Sequence, residues 1–268
     1  MRSFFLSLLS MLMITSASAQ CPLKNTDFKH GEKIVYEMYY NWNFVWVKAG
    51  SAIFLTSKAN YQGQDGFRSY LITRTSKSLD NFFMMRDTLT GLFTVDNVPL
   101  YYCKGAFEGK KYRRDEVWYS YPNGKTHVTQ RYQNPKGEIS TQEHTSSECV
   151  YDMMSLMQRA RSMNPSDFAK GEKKYFKMAD GDDIDNVFVV FRGTETISLK
   201  TGKGKYRCLV FSFMEEQEGK DKEIIRFFIT DDQNHLPVRL DMFLKFGSAK
   251  AYMLSCDGLR NECTSKVN

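Results

Sequence analysis

Between Gly31 and Gly50 the chain reads GEKIVYEMYYNWNFVWVKAG, with an apolar residue at every even position from Ile34 through Tyr36, Met38, Tyr40, Trp42 and Phe44 to Trp46. The odd positions between them include Lys33, Glu37, Asn41 and Asn43. A strand sends alternate side chains to opposite faces, so this pattern predicts one long strand, or two bent strands, with a single aromatic wall. Such a strand is stable only with a sheet beside it and apolar matter against its face. The stretch therefore commits the chain to a sheet-built fold.

The rest of the sequence repeats the strand signal. Lys48 to Lys58 alternates through Ala49, Ser51, Ile53 and Leu55, and YQGQDG at 61–66 turns it back into Phe67 to Ser76. Thr88 to Val95 and Leu100 to Phe107 flank a turn at Asp96 to Pro99. Tyr112 to Tyr121 and Thr126 to Gln133 flank Pro122-Asn123-Gly124, where Asn-Gly tolerates positive φ. Strands resume near Glu172, with Phe188 to Leu199, Tyr206 to Met214, Ile224 to Thr230, Val238 to Phe246 and Ala249 to Leu254 as candidates. DGDDIDN at 180–186 reads as a turn. Roughly a dozen strands are too many for one flat open sheet, so the expectation is a mainly β, large curved antiparallel sheet, half-barrel or barrel-like.

One segment breaks the pattern. From Cys149 to Met163 the apolar residues Val150, Met153, Met154, Met157 and Ala160 recur at three and four, which predicts one amphipathic helix. Thr145 with Glu148 suggests a capping box, and Asn164-Pro165 a stop.

The chain also echoes itself. Asp27-Phe28-Lys29-His30-Gly31-Glu32-Lys33 returns as Asp167-Phe168-Ala169-Lys170-Gly171-Glu172-Lys173, and Asn97-Val98-Pro99-Leu100 resembles His235-Leu236-Pro237-Val238. The near-constant offset predicts two copies of one β unit, 28–120 and 168–255, linked by a hairpin and the helix at 121–167. Residues 20–268 then form a single β-rich domain.

The first nineteen residues read as a signal peptide. Arg2 supplies a basic start, Phe4 to Ile14 an apolar core, and Ala17-Ser18-Ala19 a small-residue cleavage site before Gln20. The run is too short for a membrane span, and no later stretch reaches that length. The expected protein is exported, periplasmic or secreted, and unlipidated at Cys21, because Gln20 is not the small residue a lipobox places before its cysteine. The net charge is +6 over the whole chain and +5 without Arg2. The clusters Lys110, Lys111, Arg113, Arg114 and Lys200, Lys203, Lys205, Arg207 read as solvated turn charge, and the export signal speaks against nucleic acid. Of the six cysteines, Cys256 and Cys263 flank Asp257-Gly258 and are the expected disulfide; six cysteines allow about 15 pairings, and the others stay open.

Several motifs together resemble the DUF3108 family, exported bacterial proteins of unknown function. These are the opening GEKIVYEMYYNWNFVWVKAGSAIF with its Ala49-Gly50-Ser51-Ala52 step, Tyr151-Asp152-Met153-Met154-Ser155, Leu236-Pro237-Val238-Arg239 and Phe246-Gly247-Ser248. The resemblance covers nearly the whole mature chain and implies a β-rich envelope protein. It brings no activity and no site residues. Half-barrel lipoprotein carriers of the LolA type are similar in expected architecture alone.

No catalytic constellation emerges. His30, His127, His144 and His235 read as surface or turn residues, and His144 with Ser146, Ser147 and Cys149 lacks any known nucleophile signature. Asp180, Asp182, Asp183 and Asp185 are hard ligands in one loop, but Ile184 interrupts a calcium-loop order, so no metal and no cofactor is expected. Met84 and Met85 join the helix methionines as material for an adaptable apolar pocket or an ordinary core. The reading favoured by export, aromatic walls and a Met-rich helix is a non-enzymatic binding or carrier protein for a lipid or glycolipid. Its ligand-binding residues would be Tyr40, Trp42, Phe44, Trp46, Met153, Met154 and Met157. The alternatives are an envelope assembly module whose partner is another protein, and, third, a hydrolase.

Overall fold

The structure, a computed structural model, describes residues 21–42, 45–81, 83–200, 202, 204–217, 219–244 and 247–267. The segment expected to be a signal peptide lies outside the described residues.

Eight strands come first: β1 (Lys33–Trp42), β2 (Val45–Tyr61), β3 (Gln64–Thr75), β4 (Met85–Thr94), β5 (Pro99–Glu108), β6 (Lys111–Ser120), β7 (Thr126–Gln133) and β8 (Ile139–Ser146). The short β9 (Val150–Tyr151) leads into the helix α1 (Met153–Arg161). Then follow β10 (Lys173–Asp180), β11 (Asp183–Ser198), β12 (Lys205–Gln217), β13 (Lys220–Thr230), β14 (Pro237–Phe243), β15 (Ser248–Asp257) and β16 (Lys266–Val267). All sixteen strands belong to one sheet, in the order β8-β7-β6-β5-β4-β3-β2-β1-β15-β14-β13-β12-β11-β10-β9, with β16 paired to β12. Pairing is antiparallel throughout except β9 with β10. The seam between the two ends of this path is bridged from β7, where Gln130 Nε2 donates to the carbonyls of Gly181 (3.2 Å) and Asp183 (2.9 Å). The sheet is a nearly closed barrel, as a sheet of this width must curl.

The opening stretch is a hairpin rather than one strand. Met38 lies opposite Gly50 and Tyr40 opposite Val47, while Trp46 lies opposite Asn41. Directly opposed residues share a face, so the turn changes the parity and puts Trp46 on the Asn41 side, away from Tyr40. The aromatic wall expected to run unbroken from Ile34 to Trp46 therefore ends at the hairpin.

Register carries one apolar face around the barrel. Phe54 lies opposite Leu71 and Leu71 opposite Leu89; Gly91 faces Tyr102 and Tyr102 faces Val117. On the other side of β1, Met38 lies opposite Ala251, Ala251 opposite Leu240, Leu240 opposite Phe227, and Phe227 opposite Phe211. The helix lies against this face. At Gly91 an added Cβ would sit 2.6 Å from Met154 Cβ, so only glycine lets α1 approach β4 this closely.

The helix starts later than its sequence suggests. Val150 and Tyr151 are held in β9 by β10, Thr145 and Ser146 belong to β8, and Asp152 is the N-cap. Its Oδ1 accepts from the amides of Met154 and Ser155, both at 2.9 Å, and Ser155 Oγ accepts from the Asp152 amide at 3.0 Å. That reciprocal box satisfies donors which would otherwise be orphaned in a buried position, an effect of about 1 kcal/mol.

The strands β1–β6 and β10–β15 are two meanders of six, and small details recur between them. Gly31 (φ 88°) and Gly171 (φ 86°) make the same turn, closed by Glu32 N to Lys29 O and Glu172 N to Ala169 O. Asn97 (φ 57°) and His235 (φ 43°) both sit in the left-handed region at the β4–β5 and β13–β14 turns. Thr94 Oγ1 accepts from the Val98 amide at 3.2 Å, and Thr230 Oγ1 from the Leu236 amide at 2.8 Å.

Candidate functional site

Two stripes of α1 meet the two meanders differently. Met154, Gln158 and Arg161, spaced at four and three, point toward the first. Gln158 Nε2 donates to Thr56 Oγ1 (3.3 Å) and Ser69 Oγ (3.1 Å). Arg161 makes a two-pronged pair with Glu32 at 2.7 and 2.9 Å and donates to the Asn234 carbonyl at 2.9 Å. Both charges are buried. The helix end is further tied by Asn97 Nδ2 to Ser162 Oγ (3.2 Å) and by His235 Nδ1 to the Arg161 carbonyl.

The second stripe, Met153, Met157 and Ala160, together with Leu156 and Met163, roofs an apolar crevice. Its floor is Phe176 of β10, Val189 of β11, Phe211 and Phe213 of β12, Phe227 and Ile229 of β13 and Pro237 of β14, with Pro165 and Phe168 closing one end. Phe168 meets Phe211 edge-on at 5.2 Å, which braces that end. Among the described residues Arg161 is the sole charged one in the lining, and Glu32 already holds it. The crevice offers about 70 Å³ to the centres of water-sized spheres. One such sphere needs about 10–15 Å³, so the space takes a short run of methylenes. Met153, Met157, Met163, Phe176, Val189 and Phe227 are only half-buried and keep surface accessible to a water-sized sphere.

Two polar hollows adjoin the crevice. One shares Met163 and Phe176 with it and is framed by Cys21, Cys149, Tyr151, Arg159 and Lys177. The other shares Met163 and Pro165 and contains Asp27, His235 and Arg260. In the latter, His235 Nδ1 lies 3.0 Å from Asp27 Oδ1. Burial works against a charged ring there, but the hydrogen bonds to Asp27 and the Arg161 carbonyl outweigh it and raise the histidine pKa. Sequence reading placed His235 on a surface or turn; it is at a turn, but half-buried and paired, and only the distant Asp27 reveals this. Elsewhere on the inner face, burial pushes Asp152 up to about 6, and burial with the nearby Glu108 does the same to Asp87.

The structure divides the residues singled out from sequence. Met153 and Met157 line the crevice, whereas Met154 is buried beneath the helix against Gly91. Tyr40 and Trp46 lie on the β1–β2 hairpin, outside the crevice lining, with Lys250 Nζ 4.8 Å above the Trp46 ring. Phe44 and the Trp42 side chain lie outside the described residues. The aromatic floor is instead supplied by the second meander.

The disulfide is also corrected. Cys21 joins Cys149, with Cα atoms 6.2 Å apart across 128 residues, while Cys256 and Cys263 are free thiols. Cys263 Sγ lies 3.7 Å from Ser265 Oγ within its own loop. Because Cys149 is consumed in the disulfide, it is no nucleophile for His144. His127 Nδ1 meets Thr145 Oγ1 at 3.0 Å on the exposed β7–β8 surface. Among the described residues no three His, Cys, Asp or Glu side chains gather in a way that could hold a metal ion, and no helix is long and apolar enough to cross a membrane.

Fold and crevice together define a barrel-like β protein wrapped around one helix. A family model described as "Protein of unknown function (DUF3108)" matches residues 35–254, and the chain belongs to that family. Among solved structures it is similar to a beta-barrel-like protein of domain of unknown function DUF1849 from Brucella abortus. The TM-score is 0.53 and the identity 13%, over 88% of this chain and 100% of that one, a likeness of fold alone. No curated protein matches the chain.

Proposed function

We propose that the chain is an exported binding or carrier protein that holds the apolar chain of an envelope lipid or glycolipid between α1 and the second meander. The observation that carries this reading is the crevice itself, in which three flexible methionines face four phenylalanines with no unpaired charge. Thioether chains adapt to irregular apolar ligands, and narrow apolar clefts with polar surroundings are ordinary small-molecule sites. Export agrees with the Cys21–Cys149 bond, which an oxidising compartment permits and which a start at Gln20 leaves intact. We read the matching turns of the two meanders as the trace of one duplicated unit.

The test is native mass spectrometry of the mature protein purified from its own envelope, followed by denaturation and analysis of what is released. A retained lipid or glycolipid supports the reading. A clean unliganded mass, with no uptake of added alkyl amphiphile, refutes it. A second reading, an envelope assembly module, is favoured by the apolar hairpin tips, where Val45 is 61% exposed and Leu244 49%. Cross-linking from Val45→Cys to an envelope protein, together with an empty crevice, would select it.

A further inference from the structure

The apolar crevice continues into the polar hollow beside the Cys21–Cys149 bond, because Met163 and Phe176 form walls of both. Within that hollow Arg159 is held in place by uncharged groups. Its Nη1 donates to the Cys21 carbonyl at 2.6 Å, and its guanidinium lies 5.2 Å from the Tyr151 ring centroid. Its Nε is buried without a hydrogen-bond partner, and no carboxylate among the described residues forms an ion pair with it. Lys177 stands on the adjacent β10, 3.2 Å from Glu148 in a solvent-exposed pair that is worth little in water. Two cations thus face one acid at the mouth of an apolar slot.

We propose that this hollow receives the anionic head group, phosphate or carboxylate, of an amphiphile whose chain occupies the crevice. The inference rests on the chain-binding reading above and adds a charge requirement to it. A planar guanidinium suits oxyanions because its donors fan out in one plane. The disulfide fixes the carbonyl that orients Arg159, and the position of the hollow sets how far the chain can run before the head group leaves the slot.

The experiment is calorimetric titration, at low salt and below micelle formation, with dodecyl phosphate and dodecyl maltoside, which share one chain. Dodecyl phosphate should bind about tenfold more tightly, the size of one charge-assisted contact. Arg159→Gln and Lys177→Gln, the latter at a half-exposed side chain, should each shrink that ratio by lowering the dodecyl phosphate affinity more than the maltoside affinity. Equal binding of the two amphiphiles by the wild type overturns the head-group inference and leaves the crevice reading standing. A ratio that survives in the double variant overturns the placement of the head group in this hollow. Binding of neither amphiphile overturns the crevice reading and this inference with it.

Discussion

The two meanders share a strand order and a turn motif, yet they meet the helix in opposite ways. Against β1–β6, α1 is fastened by Gln158 on Thr56 and Ser69, by Arg161 on Glu32, and by the close approach of Met154 to Gly91. Against β10–β15 the same helix presents Met153, Met157 and Ala160 to phenylalanines and leaves a crevice. Directional, buried hydrogen bonds fix a register; methionine against phenylalanine fixes little and yields readily. The first half therefore fastens the helix along its length, while the second holds only its end, through Asn234 and His235, and uses the rest as an adjustable roof.

That contrast is breakable. Arg161→Met should have the largest effect, because it leaves Glu32 buried without its partner; a loss of about 3–5 kcal/mol is expected from urea denaturation. Gly91→Ala should cost about 1–3 kcal/mol, since the added Cβ meets Met154 Cβ at 2.6 Å and α1 must shift. Gly91→Ala should weaken amphiphile binding only through the fold, whereas Arg161→Met also replaces a lining residue of the crevice. Met157→Ala belongs to the other half. Its side chain is half-buried over a crevice, so it should cost about 1 kcal/mol or less in the same assay while altering affinity for dodecyl maltoside several-fold. If Met157→Ala is as destabilising as Gly91→Ala, the roof is ordinary core and the contrast fails.

A comparably small effect is a pH dependence on the anchoring side. Asp87 titrates at about 6 when folded, against 3.8 as its ordinary value. The folded state therefore holds more protons than the unfolded one between roughly pH 4 and 6, and stability falls as pH rises through that window. Asp87→Asn should flatten the slope and stabilise the protein by about 1 kcal/mol at pH 7.5, read as a rise in the urea midpoint. Asp152, also near 6, should preserve part of the slope in that variant.

Much of the frame was legible in the sequence. Period-two runs and Gly/Asn turns announced the strands, and the spacing at 153, 157 and 160 announced the helix. The crevice floor was not. Leu209, Phe211 and Phe213 alternate with Cys208, Val210 and Ser212, and Phe227 is followed by Phe228, so neither face of these strands is polar enough to mark the inner one. The opening hairpin misled for the converse reason. Its alternation was clean, but a turn within it reversed the faces, and only pairing shows that. The Asp27–His235 and Glu32–Arg161 pairs span 208 and 129 residues of sequence, beyond any local pattern.

The most direct test of the account is a methionine-methyl NMR titration of the mature protein with dodecyl maltoside. The account predicts saturable shifts at Met153, Met157 and Met163, with Met38, Met214 and Met253 unmoved in their packed surroundings. Shifts confined to methionines outside the crevice, or none at all, would contradict it.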